Sequence, residues 1–282
     1  MKIDFSKVLT TGANGMVGSY VDFGIRTDRR SLDVTDLKEV LSICRKYKPQ
    51  IILHLAAEAD VDRCEREPEH AYAVNSVGTY NMAVAAKELG IKLIYISTVG
   101  VFDGEKKGPY TEEDEPNPLN YYGHSKYLGE LAVRGILKNY IIARVDWMIG
   151  GGPTKDKKMV ARVIEQFNKP EIFGVNDRVG SPTFGKDLIA ALKKIMINDE
   201  IGIFNLANKG FCSAYEFIKE LVGVLRPDIK VTPVDSNFFK LDATRWSNKS
   251  MVSKVDLMRP WQEALKEYLE TEWKPYNSRL KP

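Results

Sequence analysis

Short apolar runs alternate with amphipathic stretches through the first half of the chain. Runs such as 7–11 and 51–55 are rich in β-branched and leucine residues, as expected of strands buried on both faces of a sheet. Longer stretches repeat their apolar positions at helical spacing, and one of them stops at Gly90. This alternation predicts an α/β fold with a doubly wound parallel sheet, built from strands 7–11, 51–55, 93–97 and 141–144 and helices 36–47, 68–89 and 122–137.

The rhythm changes after the segment 150–153, Gly-Gly-Gly-Pro. Helical stretches then alternate with short strands and long loops: helices at 157–168, 187–198, 213–225 and 261–272, and strands at 203–205 and 229–233. We therefore expect a first domain over 1–149, completed by about 184–207. A smaller C-terminal α+β lobe would comprise 150–183 and 208–282, with 274–282 as a loose tail.

Composition is that of a globular protein with a sizeable core: 282 residues, 44% hydrophobic and 28% charged. The 41 basic and 38 acidic residues leave a net charge of +3, and the basic residues are scattered, so we expect no nucleic-acid partner. Three cysteines without metal-site spacing and three isolated histidines predict no metal. The sequence has neither a leader pattern nor an apolar run long enough for a membrane, which predicts a cytoplasmic protein.

A glycine-spaced turn follows the first predicted strand. Gly12, Gly15 and Gly18 come where a helix should begin, and glycines there let the backbone approach a pyrophosphate at the helix N-terminus. This pattern favours a Rossmann-type dinucleotide site, although a glycine-rich loop without a ligand would look the same.

The segment after this turn is unusually short. Only residues 19–31 lie between Gly18 and the segment Leu-Asp-Val-Thr-Asp at 32–36, too few for a helix of about 11 residues and a strand of about 5. We therefore expect a shortened first helix or a vestigial second strand, and a weaker grip on adenosine.

Basic residues crowd the same region. Arg26, Arg29 and Arg30 are suited to a 2′-phosphate, so the sequence favours NADP(H) over NAD(H), with a solvated basic loop as the alternative. Asp33 would face the adenine or simply precede the next helix cap.

Tyr122 and Lys126 are four residues apart on a predicted helix, so their side chains converge. A free tyrosine, with a pKa of about 10, is a poor proton donor near neutrality, and an adjacent ammonium should lower that pKa. Thr98 ends the strand 93–97, at the edge where open α/β sheets bind ligands, and can hold a carbonyl oxygen. An isolated pair of this kind is usually a surface feature, but its place downstream of the glycine turn favours catalysis.

Taken together, the motifs resemble those of a known family. The chain is similar, from about residue 7 to 273, to the extended short-chain dehydrogenases/reductases, closest to the nucleotide-sugar 4-ketoreductases of the dTDP-4-dehydrorhamnose reductase group. The segments that carry the resemblance are 11–18, 32–36, 54–57, 61–65, 68–75, 97–104, 118–126, 180–183 and 245–250.

The resemblance implies roles for individual residues. It implies a catalytic set of Thr98, Tyr122 and Lys126, with the lysine also holding the nicotinamide ribose. The residues implied to bind the cofactor are Gly12, Asn14, Gly15, Met16, Val17, Arg29, Asp33, Ala56, Ala57 and Asn75, together with Tyr122 and Lys126.

Several positions depart from the family pattern. Val99 and Gly100 replace an Asp-Tyr pair, which should empty and depolarise the pocket wall, and Trp246 replaces a proline. Arg178 stands where a glutamine is usual. These changes leave the sugar open between dTDP-4-dehydrorhamnose and another nucleotide sugar.

We expect substrate contacts from the segments that should form the rim of the cleft. Arginine forks suit a diphosphate and an indole can stack on a base or sugar, but a core ion pair or packing would account for such residues equally well. The candidates are Val99, Arg144, Trp147, Arg178 and Arg245.

The sequence therefore predicts an NAD(P)H-dependent reductase of a nucleotide-activated 4-keto-deoxysugar. A 4-epimerase with retained NAD and a non-catalytic regulatory subunit of the same fold are the alternatives. The resemblance also allows a homodimer.

Overall fold

The computed structural model describes residues 3–276. Its strands, in chain order, are β1 (Val8–Thr11), β2 (Ile25–Arg26), β3 (Ile51–His54), β4 (Lys92–Thr98), β5 (Tyr140–Val145), β6 (Met148–Ile149), β7 (Glu171–Val175), β8 (Val179–Gly180), β9 (Thr183–Phe184), β10 (Gly202–Asn205), β11 (Cys212–Ser213), β12 (Lys230–Val234) and β13 (Asn248–Lys249). Six of them form one parallel sheet in the order β10-β5-β4-β3-β1-β2. The predicted parallel sheet is confirmed.

The helices are α1 (Leu37–Tyr47), α2 (Val61–Arg66), α3 (Pro68–Ala71), α4 (Gly78–Leu89), α5 (Tyr121–Ile136), α6 (Gly152–Lys155), α7 (Met159–Ile164), α8 (Gly185–Ile197), α9 (Ala214–Leu225) and α10 (Trp261–Tyr268). Among the residues described, no helix combines the length and apolar character that crossing a bilayer requires.

Helices cover both faces of the sheet because alternate strand residues point to opposite sides. In β4, Leu93 and Tyr95 pack with α1, α4 and α5, whereas Ile94 packs with α8 on the other face. The sheet is therefore doubly wound, as predicted.

The predicted helix ends are set by their expected capping residues. Asp36 accepts hydrogen bonds from the backbone of Lys38 and Glu39 and starts α1, and Gly90 ends α4 in a left-handed conformation. The predicted helix 68–89 is divided, however, because a π-helical segment at Tyr72–Val77 joins α3 to α4.

The first crossover is reduced to almost nothing. A single 3-10 turn at Gly18–Tyr20 stands in place of the first helix, and β2 has only two residues. The expected shortening therefore affects both the helix and the strand that follows it.

A second hydrophobic core lies outside the sheet. It brings together α7, α9 and α10 around the fully buried Phe184, Phe217 and Leu221. Small sheets accompany it: β7 pairs with β12, β8 lies between β11 and β13, and β6 pairs with β9. The predicted helix 157–168 is shorter than expected, since α7 gives way to turns after Ile164.

The chain ends, as far as it is described, in the 3-10 turn Lys274–Tyr276. The rest of the predicted tail, 277–282, lies outside the described residues.

The free edge of β10 is covered by side chains. The backbone N–H of Asn205 donates to the Glu112 carboxylate at 2.9 Å, and the side-chain amide of Asn205 donates to the Val252 carbonyl at 3.0 Å.

Candidate active site

Three neighbouring strands, β1, β3 and β4, end at one edge of the sheet, where the predicted Thr98 lies. β1 ends at Thr11, whose hydroxyl lies 2.8 Å from His54 Nδ1 at the end of β3, and β4 ends at Thr98. The glycine turn follows β1 directly, so it opens onto the same cleft as Thr98.

The glycine turn is too crowded for side chains. Gly12 has φ of 66°, and a Cβ there would lie 2.7 Å from the backbone nitrogen of Ala56. A Cβ on Gly18 would lie 2.6 Å from the Ala13 carbonyl oxygen. Within residues 3–276 the N–H groups of Met16 and Val17 have no acceptor, so this turn fits an anionic pyrophosphate.

β2 and the loop beyond it contain the arginines that were predicted near a 2′-phosphate. Arg26 reaches back to the glycine turn, donating to the Ala13 carbonyl at 3.1 Å. Arg29 is exposed, and the Asp33 carboxylate accepts from Thr35 at 2.7 Å as a local turn.

Asp28 is the acidic residue that follows the second strand, and sequence analysis missed it because β2 is too short to recognise. Its carboxylate accepts hydrogen bonds from the Asn14 side chain and from the backbone N–H groups of Arg30 and Ser31. Asn14 therefore ties the glycine turn to this loop.

Asn75 joins the loop after β3 to α5. Its side chain is buried, donates to the Glu58 carbonyl and the Ser125 hydroxyl at 3.0 Å each, and accepts from the Glu58 N–H at 2.9 Å. Ala56 and Ala57 belong to the loop that this amide fixes, and Ala57 is exposed toward solvent.

α5 brings Tyr122 and Lys126 to the end of β4. Asn120 caps the helix by accepting from the Gly123 N–H at 2.9 Å. A Cβ on Gly123 would lie 2.2 Å from the Gly100 carbonyl oxygen, so glycine is required for α5 to approach the turn after Thr98.

The shift of the Tyr122 pKa has the opposite sign to the one predicted. Burial raises the pKa of the Tyr122 phenol above its ordinary value, and a hydrogen bond with the Thr98 side chain opposes this. The tyrosine therefore holds its proton at neutral pH.

Lys126 is the group whose charge is sensitive near neutrality. Burial lowers the pKa of its ammonium to about 7, and Glu130 opposes the shift. Its Nζ lies 4.3 Å from the centre of the Tyr95 ring. Burial, reinforced by the Lys126 charge, lowers the pKa of His54 to about 3, so this neighbour is neutral.

Two residues proposed for substrate lie in the core instead. Arg144 is 1% exposed and forms a two-point ion pair with Glu130, at 2.9 and 2.7 Å. Val99 is fully buried in a cluster with Phe102 and Met251.

The wall at Gly100 is filled rather than empty. A Cβ on Gly100 would lie 3.0 Å from Cζ2 of Trp246. Trp246 is buried, and its indole N–H donates to the Phe102 carbonyl at 2.8 Å. The large side chain of Trp246, in place of a proline, therefore fills the space left by Gly100 in place of a tyrosine.

The remaining substrate candidates are partly buried. Arg245 pairs with Asp62 at 2.7 Å. Arg178 has no ion-pair partner in the described part of the chain, and burial lowers the pKa of its guanidinium, as does the nearby charge of Arg245. Trp147 contacts Phe217 edge to face.

A family model described as RmlD substrate binding domain matches residues 6–273. The chain belongs to this family. The predicted resemblance is therefore confirmed.

Relatives of the RmlD family cover nearly the whole chain. The spore coat polysaccharide biosynthesis protein SpsK of Bacillus subtilis is 31% identical, over 94% of this chain and 97% of its own. The crystal structure of a dTDP-4-dehydrorhamnose reductase from Clostridium acetobutylicum has a TM-score of 0.89 and 34% identity, covering 93% and 98% of the two chains. That of the Bacillus anthracis dTDP-4-dehydrorhamnose reductase in complex with NADP has a TM-score of 0.89 and 32% identity, covering 96% and 99%. The predicted enzyme class, a dinucleotide-dependent reductase, is confirmed for the family.

Residues from the second half of this RmlD-family chain also reach the cofactor loops, and sequence analysis missed them. Lys155 Nζ donates to the Asn14 carbonyl at 2.7 Å, and Lys158 Nζ donates to the Ala59 carbonyl at 2.9 Å. Tyr20 donates to Glu272 at 2.7 Å and accepts from the Gly151 N–H at 2.6 Å. Nothing in local spacing signals these contacts, since they join positions more than 90 residues apart.

Proposed function

We propose that this protein reduces the 4-keto group of a dTDP-activated deoxysugar of the dTDP-4-dehydrorhamnose type, with NADPH as the reductant. The observation that carries the proposal is the meeting of Thr98, Tyr122 and Lys126 at the end of β4, beside a glycine turn with free backbone N–H groups. Relatives named for this reaction support the choice of substrate.

Three side chains divide the work at the keto oxygen. The reduced nicotinamide supplies a hydride to the keto carbon. Tyr122 gives its proton to the oxygen, and its raised pKa keeps that proton available at neutral pH. Thr98, whose side chain opposes the rise in the Tyr122 pKa, orients the carbonyl. Lys126, when protonated, stabilises the phenolate that remains.

The cofactor would lie across the loops after β1, β2 and β3. Gly12, Gly15 and the free N–H groups of Met16 and Val17 suit the pyrophosphate. Arg29 is exposed and available for a 2′-phosphate, and the NADP complex of the Bacillus anthracis relative agrees with the predicted preference for NADP(H).

Arg178 is our candidate for the substrate diphosphate, with Arg245 beside it. A partly buried guanidinium that forms no ion pair within residues 3–276 can donate hydrogen bonds to phosphate oxygens at little cost in broken contacts. Trp147 would pack against the sugar or base.

The domain division, with the sheet for the cofactor and the lobe for the substrate, belongs to the same proposal. The two alternatives, an epimerase with retained NAD and a non-catalytic subunit, are favoured by no specific contact. The homodimer and the cytoplasmic location stay predictions.

Replacing Tyr122 with Phe tests the proposal. We expect the variant to lose turnover by at least about a hundredfold while binding NADPH normally, because only the transferred proton is removed. The measurement is NADPH oxidation on adding dTDP-4-dehydrorhamnose. Tyr121→Phe is the matched control, since Tyr121 is the exposed neighbour on the same helix. Wild-type protein that oxidises no NADPH with this sugar, or a Tyr122→Phe variant as active as the Tyr121→Phe control, contradicts the proposal.

A further inference from the structure

The wall of the cleft opposite Tyr122 is built from a set of residues that the reduction itself does not use. Trp246 fills the space beside Gly100, and a Cβ on that glycine would also lie 3.2 Å from the Thr98 hydroxyl. The indole edge and the Thr98 hydroxyl therefore flank the same glycine. Trp246 is thus held next to the reacting centre.

A lysine lies between two tryptophans on this wall. Lys249 Nζ is 5.0 Å from the centre of the Trp246 ring and 5.9 Å from that of Trp147. It pairs with Asp146 at 2.5 Å. The lysine side chain keeps 17% of its surface exposed, whereas that of Asp146 keeps only 2%.

Asp146 is fixed by its own contacts. It follows the last residue of β5, and its Oδ2 accepts from the Ser181 N–H at 3.0 Å. Lys249, which it pairs with, lies over Trp246, and Trp246 flanks Gly100 next to the Thr98 hydroxyl, so the pair lies beside the proposed active site. The carboxylate is therefore a rigid anchor that orients the Lys249 ammonium.

The Lys249 ammonium has N–H donors that its contact with Asp146 does not use. It carries three N–H groups, of which Asp146 takes one, and the two aromatic rings offer faces but no lone-pair acceptor. An oxygen of a bound ligand can take a remaining donor.

We propose that Lys249, anchored by Asp146 between Trp147 and Trp246, donates a hydrogen bond to a hydroxyl or ring oxygen of the sugar and is the specificity-determining residue of this chain. Because Asp146 already balances the charge of Lys249, the wall selects a neutral hydroxylated hexose over a uronic acid. This inference rests on the proposed nucleotide-sugar substrate.

Binding without turnover tests the inference separately from the reaction. We would measure by calorimetry the affinities of dTDP and of dTDP-rhamnose, whose ratio isolates the sugar contribution. The variant is Lys249→Gln. Because it leaves Asp146 buried and unpaired, the double variant Asp146→Asn/Lys249→Gln is measured beside it.

The matched control is Lys193→Gln. Lys193 also pairs with an aspartate, Asp22 at 2.9 Å, and lies over an aromatic ring, Phe23 at 4.7 Å, but it belongs to α8 away from the cleft.

We expect the wild type and the control to bind dTDP-rhamnose more tightly than dTDP, and both Lys249 variants to lose about tenfold of that advantage with dTDP affinity unchanged. An unchanged ratio in the double variant overturns the inference. So does a wild type that binds both ligands equally, or an equal loss of affinity for dTDP alone. A wild type that shows the sugar advantage but reduces no keto-sugar refutes the proposed reaction and leaves the role of Lys249 standing.

Discussion

Lys126 is a buried ammonium whose pKa is close to neutral pH. Burial moves its pKa down to about 7, while burial moves the pKa of Tyr122 up. The two groups of the proposed site therefore titrate far apart. Near neutral pH, Tyr122 keeps its proton and only Lys126 changes its charge, so Lys126 should govern the pH dependence of the reaction in that range.

The pH profile of kcat/KM follows from this arrangement. The Lys126 charge is fully present below about pH 7 and is lost as the pH rises through that value, whereas Tyr122 keeps its proton. Because kcat/KM reports the free enzyme, we expect it to fall above about pH 7, by up to about tenfold per pH unit. Initial rates between pH 5.5 and 9 check this, and Lys126→Met should be slow and lack the fall. A flat wild-type profile contradicts it.

Spacing identified Tyr122 and Lys126 from the sequence, because a helix places residues four apart on one face. The position of Arg144 could not be read in the same way. Its partner Glu130 lies on a different element, and only the packing of α5 on β5 brings the two together. The burial of Val99 could not be read either, since the 3-10 turn that contains it packs it with Phe102 and Met251, and Met251 is about 150 residues away in the chain.

At the scale of the element, the π-helical segment Tyr72–Val77 is what positions Asn75. The wider turn aims this amide at Glu58 and Ser125 at once, and the Ser125 hydroxyl in turn donates to the Tyr122 carbonyl at 2.9 Å. Insertions of this kind are frequent at functional sites. The segment links the loop after β3 to α5, which carries Tyr122 and Lys126.

Comparing Asn75→Ala with Asn81→Ala should separate an effect on the reaction from an effect on the stability of the fold. Both asparagines are buried, and Asn81 donates to the Val34 and Thr35 carbonyls at 3.0 Å, in the segment before α1 and not at Tyr122. Each substitution leaves backbone groups unpaired, so each should cost about 2 kcal/mol of unfolding free energy. Only Asn75→Ala should also reduce kcat/KM, by about tenfold or more. Urea unfolding and steady-state kinetics measure the two effects, and equal kinetic losses in both variants would argue against the link.

The sequence predicted the long elements well and the short ones poorly. The helices with clear caps, such as α1 after Asp36, begin where expected because the capping residue itself sets the boundary. The two-residue β2 has no periodicity to read, which is why Asp28 was missed. The packing of Trp246 on Gly100 joins positions far apart in the chain, and no local pattern carries that information.

On the scale of the whole molecule, the glycine turn is held from the far end of the chain. The Tyr20 hydroxyl connects its own 3-10 turn to two distant segments. It accepts from the Gly151 N–H before α6 and donates to Glu272 in the helical segment that follows α10. Lys155 adds a contact to the Asn14 carbonyl. The shortened first helix is thus supported by contacts that a longer helix would not need.

Tyr20→Phe should weaken cofactor binding, with Tyr110→Phe as its control. Tyr110 also donates to a carboxylate, Asp103 at 2.8 Å, and accepts from a glycine N–H, that of Gly104 at 3.0 Å, but it lies in a separate cluster with Phe102 and Met251. Both variants should lose about 1–2 kcal/mol of stability, since each removes a hydrogen bond to a carboxylate. The affinity for NADPH, followed by fluorescence titration, should fall about threefold to tenfold in Tyr20→Phe alone. An unaltered affinity there would mean that the turn is rigid without this hydroxyl.

The two margins of the central sheet have a bearing on self-association. One margin is β2, only two residues long, and on the other the Asn205 N–H of β10 is already taken by Glu112. The short β2 and the occupied Asn205 N–H therefore disfavour growth of the central sheet by strand addition. We accordingly expect any pairing of subunits to use side chains of the flanking helices or the lobe.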